Sequence, residues 1–190
     1  MKEQKKVSRR QQILDVSLDL FVRHGYTGTS TRGISKKIGI SSGLMFHYFK
    51  SKEDLYIAHL ETALDAVRMI KEYTQMPLPP IQVFSEIAES LLSYFAVSPT
   101  TAKVFLLTKQ ALYADYLTDE MKAVIKNLNI VDELTPLIEA GQKAGEIKGG
   151  NPRTLALCFF SAIESAAENV VCFPGFPMPE SRWLVDILKK

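Results

Sequence analysis

The side chains that could carry out chemistry are few in this chain of 190 residues, and they form no catalytic set. Glu164 and Glu168 lie four residues apart in an apolar stretch, a spacing that puts two carboxylates on one helix face. Such a pair could bind a cation or exchange protons. However, the sequence offers no nucleophile–base pair, no glycine-rich phosphate loop and no metal-ligand cluster to accompany it. We therefore interpret the two carboxylates as an exposed edge or the rim of a pocket, and we expect neither enzymatic activity nor a metal site.

The cysteines and His47 favour the same conclusion. Cys158 and Cys172 fall in one predicted helix, about 21 Å apart along its axis, which is too far for a disulfide. We expect both to be buried, reduced thiols in a cytoplasmic protein. His47 has no second ligand at a suitable spacing, so we interpret it as a surface hydrogen-bond donor. The sequence shows neither a secretory signal nor about 18 uninterrupted apolar residues, and we expect no membrane span.

Residues 31–48 carry the clearest functional pattern, in which two short helices meet at a tight turn. Gly39 tolerates the positive φ that the turn requires, Ser35 is small enough for a close helix crossing, and Ser41 can cap the second helix. Apolar anchors for the inner faces are Ile34, Ile38, Ile40 and Met45. These features satisfy a helix-turn-helix, although an ordinary helical hairpin in a protein core also places glycine between short helices.

Charge is distributed unevenly along the chain. Residues 1–55 contain 11 Lys/Arg and 5 Asp/Glu, whereas residues 56–190 contain 12 and 16. A basic head on an acidic body suits nucleic-acid binding, but a disordered lysine-rich tail fits equally well. Five of the basic residues are Lys2, Lys5, Lys6, Arg9 and Arg10. Two further observations favour DNA binding: residues 41–49 contain no charged residue, and Arg32, Lys36 and Lys37 precede them.

Helical periodicity extends over the whole chain and predicts an all-α fold of about nine helices. Ser8 is the predicted cap of the first helix and Gly25 its stop, and Ser51 with Asp54 makes an approximate capping box for the fourth. The predicted helices span residues 8–24, 31–38, 42–48, 52–74, 81–96, 101–114, 119–144 with a kink or restart at Thr135-Pro136, 155–173, and a last short segment carrying Trp183, Leu184, Ile187 and Leu188. We place the domain boundary between residues 6–66 and residues 67–190.

The sequence resembles the signature of TetR transcriptional regulators over about residues 9–56. The matching runs are Ile13–Phe21, Gly25, Tyr26–Arg32, Ile34-Ser35, Gly39–Ser41, Gly43, Phe46–Phe49 and Ser51–Leu55. Two positions depart from the family pattern. Gly33 stands where an acidic residue is usual, which removes the reciprocal capping bond of the second helix. Phe46 replaces the usual tyrosine and its hydroxyl.

The resemblance implies an N-terminal three-helix DNA-binding domain and a C-terminal helical domain that binds a ligand and dimerises. It assigns DNA contacts to Thr31, Arg32, Ser42, Gly43, Leu44, Phe46, His47, Tyr48 and Lys52. Within this set, Ser42, Gly43 and Phe46 fall at base-contacting positions and Lys52 at a phosphate-binding one. Because the second helix of the motif lacks Arg, Asn and Gln, we expect specificity to depend on Arg32, Ser42 and apolar contacts with thymine methyl groups.

The body should enclose an unknown small-molecule effector, which the resemblance implies to be small and apolar; no other cofactor is expected. Aromatic residues at helical spacing are more often core than ligand pocket, but the resemblance points to a pocket lined by some of Phe84, Phe105, Tyr113 and Phe159. The same resemblance assigns a homodimer interface to helices about 152–173 and 179–189, with small residues at Ser161, Ala162, Ser165, Ala166 and Asn169. The dimer would bind a near-palindromic operator on double-stranded DNA.

Several alternatives stay open at the level of sequence. The resemblance implies a repressor that leaves its operator when the effector binds, through a swing of the helix at about 52–74. An activator or a ligand-free architectural factor would have the same fold. A helical small-molecule carrier without a DNA role is the alternative from a different class, and residues 31–55 argue against it. The sequence identifies neither operator nor effector.

Overall fold

A computed structural model describes the backbone of residues 2–190 and the side chains of residues 9–190. The described residues form ten helices and no strand, apart from an isolated antiparallel bridge between Ile147 and Lys189. The helices are α1 (Lys2–His24), α2 (Thr31–Ile38), α3 (Ser42–Tyr48), α4 (Lys52–Thr74), α5 (Pro80–Val97), α6 (Pro99–Leu112), α7 (Asp119–Lys126), α8 (Ile130–Lys143), α9 (Pro152–Cys172) and α10 (Ser181–Asp186). The all-α prediction is confirmed.

Three details differ from the prediction. Helix α1 begins at Lys2, so Ser8 lies inside the helix and is not its cap; Gly25, at φ 70°, ends it as expected. The segment 119–144 is two helices, because Asn127 and Asn129 supply a C-cap and an N-cap between them. Pro136 does not interrupt α8, contrary to the predicted break. The domain boundary at residue 66 stays a prediction, and it falls inside the continuous helix α4.

Helix α4 holds the two parts of the fold together, because it contacts α1 as well as α5, α6, α7 and α8. Around it, the body is built on α9, which packs against α5, α6 and α8. Phe84 of α5 and Phe159 of α9 meet edge to face at 4.9 Å between ring centroids, and neither is exposed. These two helices therefore form the centre of the body core.

One side of α9 stays uncovered. Both Cys158 and Cys172 are exposed free thiols on this helix, so the prediction that they are buried was wrong. The reason is that α9 buries only one face: Ala156, Phe159 and Ile163 point into the core, and the opposite side is left to solvent in the single chain. Helix α9 is also long and apolar enough to cross a bilayer by composition, with 39% of its apolar window buried against its neighbours. Core helices of globular proteins share that composition, and α9 packs as one of them.

A buried polar contact joins α1 to α4. The hydroxyl of Ser17 lies 2.9 Å from Nε2 of His59, and both side chains are almost fully buried. The same hydroxyl donates to the carbonyl of Leu14 at 2.9 Å, so it accepts from His59 in the arrangement that satisfies both groups. Burial lowers the pKa of His59 to about 4, and the charge of Arg10 contributes to the shift. His59 is therefore neutral at physiological pH.

A second polar contact fixes the turn between α1 and α2. The ammonium of Lys52, at the start of α4, donates to the carbonyls of Tyr26 at 2.8 Å and Thr29 at 3.0 Å. It also lies 4.0 Å from the centre of the Tyr26 ring, within cation–π range. Burial lowers the pKa of Lys52. Two of the three donors of this ammonium thus stabilise the turn that leads into the helix-turn-helix.

The His59 contact makes stability depend on pH. The pKa of His59 is about 4 in the folded chain and 6.5 for a solvated histidine in the unfolded chain, so between these pH values the unfolded chain binds a proton that the folded chain does not. The contribution of neutral His59 to the free energy of unfolding is complete above pH 6.5 and is lost as the pH falls toward 4. We expect the free energy of unfolding to drop by roughly 3 kcal/mol over that window. Denaturant titrations at several pH values should show that the free energy of unfolding depends more steeply on pH in the natural chain than in His59→Gln between pH 4 and 6.5. The same pH dependence in both proteins would contradict a neutral, buried His59.

The Lys52 contact predicts a stability cost for its removal. In Lys52→Met the carbonyls of Tyr26 and Thr29 lose a charged donor, and we expect the free energy of unfolding to fall by about 1–3 kcal/mol. Lys50→Met is the matched control, because Lys50 is exposed two residues away and its ammonium has no partner among the described side chains; its effect should stay within about 0.5 kcal/mol. Equal denaturation midpoints for the two variants would show that Lys52 has no structural role.

Candidate nucleic-acid interface and effector cavity

The segment from α2 to α3 has the geometry that its sequence predicts. Gly39 adopts φ 76° at the C-cap of α2, in the left-handed region where glycine is favoured. The hydroxyl of Ser41 accepts a hydrogen bond from the backbone N–H of Leu44 at the start of α3. Ile34, Ser35 and Met45 are buried between the two helices. The predicted tight turn at Gly39 and the predicted cap of α3 at Ser41 are therefore both formed.

The departure at Gly33 leaves the cap of α2 half made. The hydroxyl of Ser30 accepts from the N–H of Gly33 at 3.1 Å, so the forward bond of the capping box is present. The return bond needs a carboxylate or amide at position 33, which glycine does not supply. At the start of α4, the hydroxyl of Ser51 accepts from the N–H of Asp54, but the carboxylate of Asp54 accepts from the N–H of Lys50 instead of that of Ser51. Both caps are therefore variants of the predicted arrangement.

Most of the predicted DNA-contacting residues lie on the surface of α2 and α3. Leu44 and Phe46 are large apolar side chains that remain 38% and 47% exposed, which a purely structural role in a core would not explain. Thr31 and Tyr48 are half-buried, and Phe49, directly after α3, is buried. The exposed members of the predicted set are Arg32, Ser42, Gly43, Leu44, Phe46 and His47. Arg32 stands beside exposed Lys36 and Lys37 on α2, so the surface next to α3 is basic.

Lys52 differs from the rest of the set, because its ammonium faces the turn between α1 and α2. A phosphate contact could use only its remaining donor. Sequence reasoning missed this role, since the partners are backbone carbonyls 26 and 23 residues earlier in the chain and leave no side-chain signature.

An aromatic cluster connects this head to the body. The ring of Tyr26, in the turn after α1, stacks on Tyr116 at 4.7 Å between centroids, and the hydroxyls of Tyr116 and Tyr56 lie 3.0 Å apart. Next to the cluster, the hydroxyl of Thr118 donates to the carboxylate of Glu53. Because Tyr116 and Thr118 lie directly before α7, their contacts connect α7 to both the turn and the start of α4. No local sequence pattern indicates this cluster, because its members are up to 90 residues apart.

The body contains a cavity of about 550 Å³ among α4, α6, α7, α8 and α9. Phe105 and Tyr113 line it, as predicted. Phe84 and Phe159 do not, because they pack against each other in the core centre on the other side of α9. Other apolar lining residues are Ala63, Ala66, Val67, Leu112, Ile125, Leu128, Ile130, Val131, Leu157 and Phe160. A volume of this size is typical of small-molecule sites.

Polar side chains also line the cavity, although the sequence had indicated no polar set for binding a ligand. Glu164 lines it, which fits the predicted pocket rim, and burial raises the pKa of its carboxyl group while the charge of Lys109 opposes the shift. Lys109 donates to Glu168 at 3.3 Å. Thr108, Lys126, Asn129 and Ser161 also belong to the wall. These residues come from α6, α7, α9 and the turn before α8, so only the packing brings them together.

Comparisons with known proteins agree with this geometry. Residues 13–59 match the family model described as bacterial regulatory proteins, tetR family. The chain is 28% identical over 164 residues to the HTH-type transcriptional regulator RutR of Escherichia coli K12, covering 85% of this chain and 74% of RutR. It is 41% identical over 61 residues to the transcriptional repressor AcnR of Corynebacterium diphtheriae, covering 32% of this chain and 31% of AcnR.

Solved structures show the same fold at lower identity. The MbdR regulator from Azoarcus sp. CIB superposes with a TM-score of 0.77 at 21% identity, covering 95% of this chain and 96% of MbdR. AibR, solved in complex with isovaleryl coenzyme A and operator DNA, superposes with a TM-score of 0.74 at 16% identity over 94% of each chain. The relatives found are transcriptional regulators and not enzymes. With the capped helix-turn-helix at its N-terminus and the matching helical body, the chain belongs to the TetR family of transcriptional regulators.

Proposed function

We propose that this regulator is a homodimeric repressor that leaves its operator when a small, mainly apolar ligand fills the body cavity. The observation that carries the proposal is the pairing of an exposed α3, capped and free of charged residues, with a partly open pocket that α4 helps to line. Since α4 contributes Ala63 and Val67 to the pocket and Lys52 to the head, one helix is common to both. Its position is the quantity that the ligand would change.

Sequence reading is assigned to α2 and the first turns of α3. Arg32 is exposed and is the one residue of the predicted set able to make a bidentate contact with guanine. Leu44 and Phe46 project from α3 and suit apolar contact with thymine methyl groups. Lys36 and Lys37 supply charge for the phosphate backbone. The proposed division is therefore base contact from Arg32 and α3, and orientation from the lysines.

The proposed dimer interface is the uncovered side of α9 with α10. Leu157, Phe173, Phe176 and Trp183 are each at least half exposed, a density of apolar surface that single chains rarely leave open. Cys158, Ser161, Ser165 and Cys172 are exposed along the same side of α9 and are small enough for close helix approach. The sequence had placed Ala166 in this interface, but Ala166 is buried in the body and does not belong to the surface. A twofold axis through this side would present two α3 helices to one near-palindromic site.

The ligand would act through α7 and α4. Ile125 and Leu128 line the cavity at the far end of α7, while Tyr116 and Thr118 at its near end contact the head. A ligand that binds better to the arrangement with separated α3 helices shifts the population toward it and lowers operator affinity. As a bacterial transcription regulator, the protein would work in the cytoplasm, where the DNA is.

The function is tested by selecting bound duplexes from a random pool and titrating the selected sequence at several salt concentrations. We expect a near-palindrome whose affinity falls steeply as salt rises. Selection of no sequence, with weak binding only, would argue against a sequence-specific regulator and favour the carrier alternative. A fixed affinity for the selected operator across a metabolite library would instead favour a ligand-free architectural factor.

Arg32→Ala should change sequence preference and not only affinity. We expect a loss of about 1–3 kcal/mol on the selected operator and relaxed preference at one position in each half-site, because a base contact disappears. Lys37→Ala is the control, since a lost phosphate contact weakens all sequences alike and reduces the salt slope by about one. Repeating the selection with each variant provides the measurement. An unchanged sequence preference in Arg32→Ala would show that Arg32 contacts the phosphate backbone of the DNA and not a base.

Trp183→Glu should weaken the dimer. Trp183 is 54% exposed on α10, and a carboxylate there would be buried without a partner in the proposed interface. We expect the dimer dissociation constant to rise at least about tenfold in sedimentation equilibrium. The control is Val97→Glu, which changes an 80% exposed residue at the end of α5, outside the α9–α10 surface. A similar loss in both variants, or in neither, would place the interface elsewhere.

A further inference from the structure

The cavity wall is mostly apolar, but one carboxylate opens into it. Glu164 lies on α9, is half-buried and lines the cavity together with Leu157, Phe160 and Ser161 of the same helix. No described residue donates a hydrogen bond to its carboxylate or forms an ion pair with it. Burial raises the pKa of its carboxyl group, although the nearby charge of Lys109 opposes the shift. A group of this kind gains from any donor that a ligand brings.

The other polar groups of the wall already have partners or lie in water. The ammonium of Lys109 donates to Glu168 at 3.3 Å, and Glu168 does not line the cavity, so their charges offset each other beside it. The hydroxyl of Thr108 donates to the carbonyl of Val104 at 2.9 Å. Lys126 is exposed, and its charge is screened by solvent. Among the described wall charges without a partner, Glu164 is thus the one that is partly buried, whereas Lys126 lies in solvent.

From this arrangement, and resting on the proposed function, we infer that the effector is an apolar molecule bearing an N–H or O–H donor, with a protonated amine as the strongest binder, and that Glu164 accepts from it. The apolar part would occupy the space beside Val67, Phe105 and Leu128, and a molecule of drug-like size fits within about 550 Å³. A carboxylate ligand is disfavoured, because it would place like charge next to a poorly solvated anion. The specificity is therefore for the head group more than for the hydrocarbon.

Three probes with one carbon skeleton separate these possibilities: phenylbutylamine, phenylbutanol and phenylbutyrate. Calorimetric titration of each into the full-length protein at neutral pH measures affinity directly, without operator. We expect the amine to bind about tenfold or more tightly than the acid, with the alcohol between them, since a charged hydrogen bond is worth about that ratio. This order is a property of the natural chain and does not depend on any variant.

Glu164→Gln then tests the residue. It keeps the side-chain volume and removes the charge, so we expect amine affinity to fall about tenfold, acid affinity to rise, and alcohol affinity to change by less than about threefold. Glu139→Gln is the matched control, because Glu139 is an exposed carboxylate on α8 outside the cavity, and all three affinities should be unchanged.

The outcomes are distinguishable from those of the proposed function. No measurable amine binding, an acid that binds as tightly as the amine, or a Glu164→Gln variant with unaltered preference would each overturn the inference, whatever the protein does with DNA. If the protein alone, without any probe, binds no operator specifically, the regulator function is overturned. The order of the three probe affinities would still decide the ligand class. An amine that binds first, loses its advantage in Glu164→Gln and weakens operator binding supports both.

Discussion

The structure depends on one continuous helix, α4, that packs against α1 in its N-terminal half and against the helices of the body in its C-terminal half. Helix α4 contributes Leu55, Tyr56 and Leu60 to the region around α1 and Ala63, Val67 and Ile70 to the body. Because its hydrogen-bonded backbone is continuous from Lys52 to Thr74, the two packings cannot move independently along its length. A change of pressure on its C-terminal half must either tilt the helix or disturb the contacts of its first turns. This mechanical property is what makes a head and a cavity on the same helix useful for regulation.

The contacts around the first turns of α4 are polar and specific, in contrast to the apolar packing further along. The Ser17–His59 pair, the Lys52 ammonium and the Tyr56–Tyr116 hydroxyls each have a defined partner at hydrogen-bonding distance. Buried polar contacts of this kind cost desolvation and contribute modest net stability, but they allow few alternative geometries. They are therefore well suited to hold the helix-turn-helix in a defined orientation to α4.

The cavity shows a related division between apolar volume and a single polar determinant. Most of its wall gives non-directional affinity, which grows with the buried area of whatever enters. Glu164 adds a directional requirement, because a carboxylate without a donor discriminates between ligands that have a donor and ligands that do not. The position of Glu164 between the core-facing and the uncovered side of α9 also places it near the proposed dimer surface, so effector and partner subunit would approach the same helix.

The helix-turn-helix, with the caps of α2, α3 and α4, could be predicted from the sequence, and the family with it; the cap predicted for α1 at Ser8 could not. These features are local: Gly39, Ser41 and Ser51 act on backbone groups within a few residues, so their types and spacing are sufficient evidence. Phe105 and Tyr113 line the cavity, whereas Phe84 and Phe159 do not. The sequence could not separate the two pairs, because helical periodicity identifies an inward face without indicating whether core or cavity lies there. Three other features follow from the packing of the helices. The packing leaves one face of α9 uncovered, which exposes both cysteines. It also brings the ammonium of Lys52 to the carbonyls of residues 26 and 29, and it brings Tyr26, Tyr56 and Tyr116 together. Each of these depends on contacts between residues far apart in the chain, and such contacts are set by how the helices pack and not by the local pattern of any one of them.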